Sequence, residues 1–442
     1  MFKKEFDIIF NYAKDKVEDI EILLTSDNEF SSRFHDKHIE SLQSSESRGI
    51  GIRIVHNGKM GYAYTENFSE EMLKKVVVQA KENALYSEED LIDIGNYPDK
   101  KNNLVLYNNE LNSVTNENVV QVMEDLEKYA YKADKRVLNI PYLQFAKGKS
   151  FTKIVNNKGL DKEEKHNFAT CNIGVLVGEG NERKMSMDYI ITRNFSQINP
   201  QKLANNAVSK ALDLLNGNAA ETGSYPIVIQ NETMANLIAT FSMIFSGRAV
   251  LDGKSLLRDK VGEMIGSEKL NIVDNALHSQ GFASSSFDSE GFPSQKTQLV
   301  HKGKLLSYLH NTQTAKMMNT TSTGNASRSY KSKLDVAPTN LILESGESSL
   351  SEMYNAFPEV IEIVSLQGLH SGTNTISGDF SLSAEGFLYK NGVKQYALKQ
   401  FTVSGNILDL FHHIMMIGDD FKFNYMSVGS PSVLIKELAV SG

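Results

Sequence analysis

The 442-residue sequence contains one cysteine, no tryptophan and eight prolines. A single cysteine excludes an internal disulfide and fits a reducing compartment. Cys171 lies in a run of alternating apolar residues, so it reads as a buried thiol, not a nucleophile. No run of 18 apolar residues occurs, and no membrane span is expected. Positive charge is also scarce: 46 Lys and Arg stand against 54 Asp and Glu, a net charge of −8. No basic stretch is interleaved with aromatics, so nucleic-acid binding is not expected. The N-terminal segment spaces Phe2, Phe6, Ile9, Phe10, Ala13 and Val17 between charges. That spacing predicts an amphipathic helix and not a signal peptide, and the cytoplasm is the expected location. No G-x-S-x-G elbow is found, and no histidine lies between His166 and His278.

The first half carries a repeat. TENFS at 65–69 and TRNFS at 192–196 each follow a strand pattern and precede a helical one. Each serine can cap the helix that follows or lie just before its cap. Upstream, the first block reads as a helix (2–17) and strands (18–26, 30–42, 46–56, 59–65) with an Asn57-Gly58 turn. The second reads as a helix (116–134) and strands (137–147, 149–156, 159–167, 169–179, 183–192) with an NNKG turn at 156–159. Asn-Gly between alternating strands is a strong hairpin signal. The predicted fold is α+β: two repeated small units, each an antiparallel sheet with helices on one face, followed by a larger strand-rich, barrel-like C-terminal domain. The boundaries are 1–110, 111–218 and 224–442. A polar, glycine-containing linker at 216–224 separates the halves.

The third unit opens with a buried strand at 226–229. A helix over 231–247 follows, with Met234, Leu237, Ile238, Phe241, Ile244 and Phe245 on one stripe. Asn231 is its expected N-cap and Gly247 its stop. It carries no His and no Cys, so it is equipped to pack in a core. Strands are expected at 282–288, 296–301, 304–309, 360–367, 377–382, 384–390, 393–402 and 426–438. Residues 318–333, rich in Ser, Thr, Asn and Gly, read as a mobile loop.

Glycine-punctuated pieces recur in a fixed order: FDSEG at 287–291, HKGK at 301–304, GLHSG at 368–372 and SGDFS at 377–381. EGF at 385–387, KNG at 390–392, SGN at 404–406, GDD at 418–420 and GSPS at 429–432 follow. With ESRGIGIR at 46–53 and GYA at 61–63, this set resembles the TldD/PmbA family, also called modulators of DNA gyrase. The resemblance covers essentially the whole chain. The TldD branch implies a zinc protease with an HExxxH helix and a distant cysteine ligand. Aligned on that helix, Ala239 and Thr240 stand where His-Glu would be, and Ile244 replaces the second His. Ile417 stands near the cysteine position. The chain thus resembles the PmbA (TldE) branch. That implies a non-catalytic subunit with no cofactor of its own, while zinc sits in a TldD-like partner and peptides are the substrate. A homodimeric peptidase and a non-enzymatic peptide-binding adaptor remain as alternatives.

Other candidates are weaker chemically. Asp288 and Glu290, two apart, could place two carboxylates on one side for acid–base work. They could equally bond local backbone N–H groups in a turn. His370, Ser371 and Asp379 are the residue types of a triad, but adjacent Ser and His on one strand point to opposite faces. Gly368, Gly372 and Gly378 read as sites of close backbone approach by a peptide or partner. These eight residues form the expected peptide or partner surface. His412 and His413 diverge by about 100° on a helix and cannot readily share one metal. Asp419 and Asp420 read as capping or turn residues.

Overall fold

The computed structural model describes residues 2–35, 38–87 and 94–442. The first half is one six-stranded antiparallel sheet built from two like units. Unit one runs α1 (Lys3–Ala13), β1 (Asp19–His35), β2 (His38–His56), β3 (Lys59–Thr65), α2 (Glu70–Leu85). Unit two runs α3 (Asn116–Ala133), β4 (Val137–Asn156), β5 (Asp161–Glu179), β6 (Glu182–Thr192), α4 (Pro200–Asp213). The sheet order β3-β2-β1-β4-β5-β6 joins the units through an antiparallel β1–β4 seam.

The repeated pentapeptide folds identically in both units. Thr65 Oγ1 and Thr192 Oγ1 accept from Asn67 N and Asn194 N. Asn67 Oδ1 and Asn194 Oδ1 accept from Ser69 N and Ser196 N at 2.9 and 3.0 Å. These local bonds turn the chain from strand to helix. Ser69 stands at the N-cap of α2 without a side-chain bond, and Asn199, not Ser196, caps α4.

Helices cover one face of the sheet. Ile9, Leu73, Val76 and Val77 pack on Ile22, Ile50 and Ile52. Met123, Leu126, Leu203 and Ala207 pack on Phe145, Cys171 and Ile173. Cys171 is fully buried, and burial pushes its thiol up to about 12. Asn57 and Gly58 both have positive φ, 51° and 70°, the demand of a type I′ hairpin turn. The predicted breaks near 27–29, 43–45, 148 and 168 do not exist: β1, β2, β4 and β5 run through them. In β2 residues 42–48 are exposed throughout, so the alternation that marks a strand vanishes there while the ladder continues.

The C-terminal domain contains a closed five-stranded barrel. β7 (Gly223–Ile229) lies between strands Glu359–Gln367 and Val433–Ser441. Asp379–Lys390 and Val393–Asn406 complete it, and pairing of Val393–Asn406 with Val433–Ser441 closes the ring. A second sheet includes Ile272–Asn275, Lys296–His301 and Leu341–Leu343. Several expected strands change. Residues 282–288 form turns, the strand Lys304–Leu305 is only two residues long, and Asp379–Lys390 is one strand instead of two. The 426–438 segment divides into Val428–Ser430 and Val433–Ser441. The linker is not free: Asn218 N donates to Ala397 O, and Lys399 N donates to Asn218 O. Among the described residues no helix is long and apolar enough to cross a membrane.

Candidate functional site

The stripe of 231–247 is buried as expected, but its ends are not. The helix, α5 (Asn231–Phe241), gives way to a short tight turn over Ser242–Phe245. Gly247 then begins a new helix capped by Ser246. Gln230 occupies the N-cap. Asn231 is the first helical residue, and its Nδ2 donates to Asp420 O at 2.7 Å. Asp420 also accepts from Ser432 N and Oγ. It therefore anchors the entry to α5. Ala239, Ile244 and Ile417 belong to one apolar cluster with Met234, Leu237, Ile238 and Phe241. Thr240 is half-buried, and its Oγ1 donates back to Asn236 O. The polar side of α5 is satisfied within the chain, by Lys422 on Glu232 and Asn424 on Asn236.

Asp288 and Glu290 do not converge. Asp288 Oδ1 accepts from Glu290 N and Phe292 N, and its Oδ2 from Ala326 N. Burial, then the charge of Glu290, raise its carboxyl well above the usual range despite those N–H groups. Glu290 reaches the other way, into the N-terminal sheet. Its Oε1 takes Arg53 Nη1 at 3.0 Å and Thr312 Oγ1 at 2.6 Å. Arg53 Nη2 also binds Glu21 at 3.0 Å, and Arg328 binds the same Glu21. Arg53, Glu21 and Glu290 are all fully buried. Burial opposes the Arg53 charge, but Glu21 and Glu290 outweigh it and hold its pKa high. For Arg328, burial prevails and lowers it.

The 318–333 segment is held in place along its length. Thr323 N and Asn325 N both donate to His310 O. Arg328 Nε donates to Ser289 O. The Tyr330 ring and backbone lie where side chains at Gly49 and Gly51 would be, which explains the two glycines in the ESRGIG stretch. Between this segment, β3 and α2 lies a cleft of about 690 Å³ with Tyr62, Tyr64 and Tyr330 in its walls.

The remaining expected residues form a separate cluster at one end of the barrel. His370 and Ser371 are exposed, and Ser371 N and Gly372 N both donate to Gly368 O. Asp379 accepts from Asn406 and Ser377, which hold its carboxyl below the usual range. Gly368 and Gly378 have φ of 81° and 86°. A Cβ on Gly372 would lie 2.3 Å from Ser381 O. At Gly372 the close approach is therefore made by the chain's own backbone, while Gly368 and Gly378 are required by their positive φ.

Arg53, Glu21 and Arg328 were not anticipated. The available signal was a charge in the middle of an apolar strand, IEILL at 20–24 and IRIV at 52–55. Among the described residues no group of three or more His, Cys, Asp or Glu is placed to hold a metal.

Three family models match in order. They are PmbA/TldA metallopeptidase domain 1 over 20–84, the central domain over 109–215 and the C-terminal domain over 222–442. An uncharacterized protein of Methanocaldococcus jannaschii is 29% identical over 421 residues, 94% of this chain and 95% of that protein. The metalloprotease PmbA of Escherichia coli O157:H7 is 24% identical, covering 97% and 94%. A putative modulator of DNA gyrase from Thermotoga maritima superposes over 100% of both chains with TM-score 0.93 and 26% identity. TldE from Thermococcus kodakarensis shares the fold, with TM-score 0.88 and 20% identity over 99% and 100% of the chains.

Proposed function

This chain belongs to the PmbA/TldD family of metallopeptidases, and from that premise we propose that it is the non-catalytic subunit of a cytoplasmic two-subunit peptidase. A TldD-like partner bearing the HExxxH helix supplies zinc and base, and unfolded or precursor peptides are the substrate. One observation carries the reading. The residues aligned with the metal ligands are Ala239, Ile244 and Ile417, and they pack into an apolar core. Zinc takes Cys, His or carboxylate donors, and these side chains offer none. The residues present do not fit the metal, so no reaction step is assigned to this chain. Its contribution is to complete the complex and hold the peptide.

Metal analysis of the chain purified without a histidine tag tests this. The expected result is no stoichiometric zinc and no peptide hydrolysis alone. Hydrolysis should appear on mixing with an HExxxH-bearing relative from the same genome. One chelator-sensitive zinc per chain, with hydrolysis by the lone protein, overturns the proposal.

A further inference from the structure

β2 extends well beyond the strand on its outer side. It pairs with β1 from Val55 back to His38, but with β3 only from Ile50 to His56. Two hydrogen bonds fix which backbone groups face outward. Glu18 N donates to Val55 O at 2.9 Å, so odd-numbered residues of β2 turn their backbone groups toward β1. Asn83 Nδ2 donates to Tyr62 O at 2.7 Å from α2. Tyr62 therefore faces away from the β2–β3 seam, as does its register partner Arg53. Both bonds assign even-numbered residues of β2 to the outer side. Beyond the end of β3, Leu42, Ser44, Glu46 and Arg48 thus present N–H and C=O groups that no strand pairs among the described residues. All four are exposed.

Sheet edges are ordinarily guarded by charged side chains, above all lysine, by proline or by a bulge. Residues 42–48, LQSSESR, contain no lysine and no proline, their two charges, Glu46 and Arg48, are of opposite sign, and the register shift of this pair lies further out, at Arg33/Phe34. β1 holds the segment extended, so little ordering remains when a strand is added. All the side chains but Leu42 are polar and three are serine, which leaves recognition largely to the backbone. A pocket of about 240 Å³ opens beside Ser44, lined by Phe30, Leu111, Lys147 and Phe168 among others. Phe30 is the cross-strand neighbour of Ser44.

We propose that the 42–48 edge of β2 binds an extended, unfolded polypeptide by strand addition, with one peptide side chain entering the pocket beside Ser44. The peptide backbone pairs with Leu42, Ser44, Glu46 and Arg48, whose spacing matches alternate residues of an incoming strand. Binding of this kind tolerates many sequences. A second copy of the chain is a poorer occupant. A stable dimer buries about 800 Å² per partner, far more than a seven-residue edge dominated by serine provides. The proposal rests on the peptide-handling reading above and deepens it.

The test is fluorescence anisotropy of the full chain with a fluorescein-labelled peptide of about ten alternating Val, Thr and Lys residues. Neither the partner subunit nor hydrolysis is involved, so failure of the zinc-partner reading leaves this readout intact. The parent peptide is expected to bind, and a version N-methylated at alternate amides is not. Ser44→Pro and Glu46→Pro each remove one outward N–H and no bond to β1. Each should weaken binding about tenfold, the effect of one lost hydrogen bond, with an unchanged circular-dichroism melt. Gln43→Pro removes a bond to β1 and should lower the melting temperature. Absence of binding, equal binding of the N-methylated peptide, or full affinity in both proline variants overturns the proposal. So does a wild-type dimer that Ser44→Pro converts to monomer without any peptide binding, which assigns the edge to a second copy.

Discussion

Two buried regions of the C-terminal domain treat charge in opposite ways. The cluster around α5 is entirely apolar and takes in Ala239, Ile244 and Ile417. At the junction with the N-terminal sheet, Arg53, Glu21, Glu290, Arg328 and Asp288 are buried together. The first region is held by area removed from water, which is non-directional. The second is held by paired charges, each costly to bury and tolerable only with its partner in place. The difference shows where geometry is constrained. In this chain the helix is given over to packing, and the charges fix how the N-terminal sheet sits on the C-terminal domain.

Substitutions can break this contrast, and the largest effect is expected in the apolar region. Leu237→Asp puts an unpaired carboxylate into a residue that is 1% exposed. The cost is several kcal/mol or a forced protonation, and the C-terminal domain should unfold. Far-UV circular dichroism reads this, since the chain has no tryptophan. A native melt would show that the stripe is not core. Arg53→Met leaves Glu21 and Glu290 without their shared cation. It should destabilise the protein by about 3–5 kcal/mol, measured by urea denaturation.

A subtler test uses pH. The Asp288 carboxyl titrates above the usual range because it is buried beside Glu290. The folded state therefore keeps this proton to higher pH than the unfolded chain does. That stability is full below the unfolded value, near 3.8, and is lost as pH rises through the folded value. Asp288→Asn should flatten this fall in stability with pH. The slope is the readout, because the amide also turns a donor toward Ala326 N and lowers the overall level. Smallest of all, Thr312→Val removes the 2.6 Å bond to Glu290. About 1–2 kcal/mol should be lost in the same urea experiment, with Arg53 still in place.

Much of the architecture was legible in local chemistry. Asn57-Gly58 marked a hairpin, the duplicated TxNFS marked two equivalent strand-to-helix turns, and the α5 stripe marked a core helix. What escaped depends on long-range pairing. Arg53 meets Glu290 across 237 residues of sequence, and no periodicity encodes that contact. The strand continuity of β2 was hidden because its residues 42–48 have no buried face. Residues 318–333 read as mobile from composition, yet their backbone and Tyr330 pack onto β2. Gly372 and Gly378 were read as openings for a ligand. Gly372→Val would instead collide with Ser381 O, and loss of folding, not of peptide contact, is the expected result.

The barrel's connectivity has a bearing on biosynthesis. β7 sits between Glu359–Gln367 and Val433–Ser441, so its neighbours leave the ribosome more than a hundred residues after it does. The N-terminal sheet contains all its own strands and can assemble while translation continues. β7 and the apolar face of α5 must wait with their edges uncovered. The C-terminal domain is therefore the segment most dependent on protection by chaperones, and synthesis paused between residues 230 and 430 would expose a sticky intermediate.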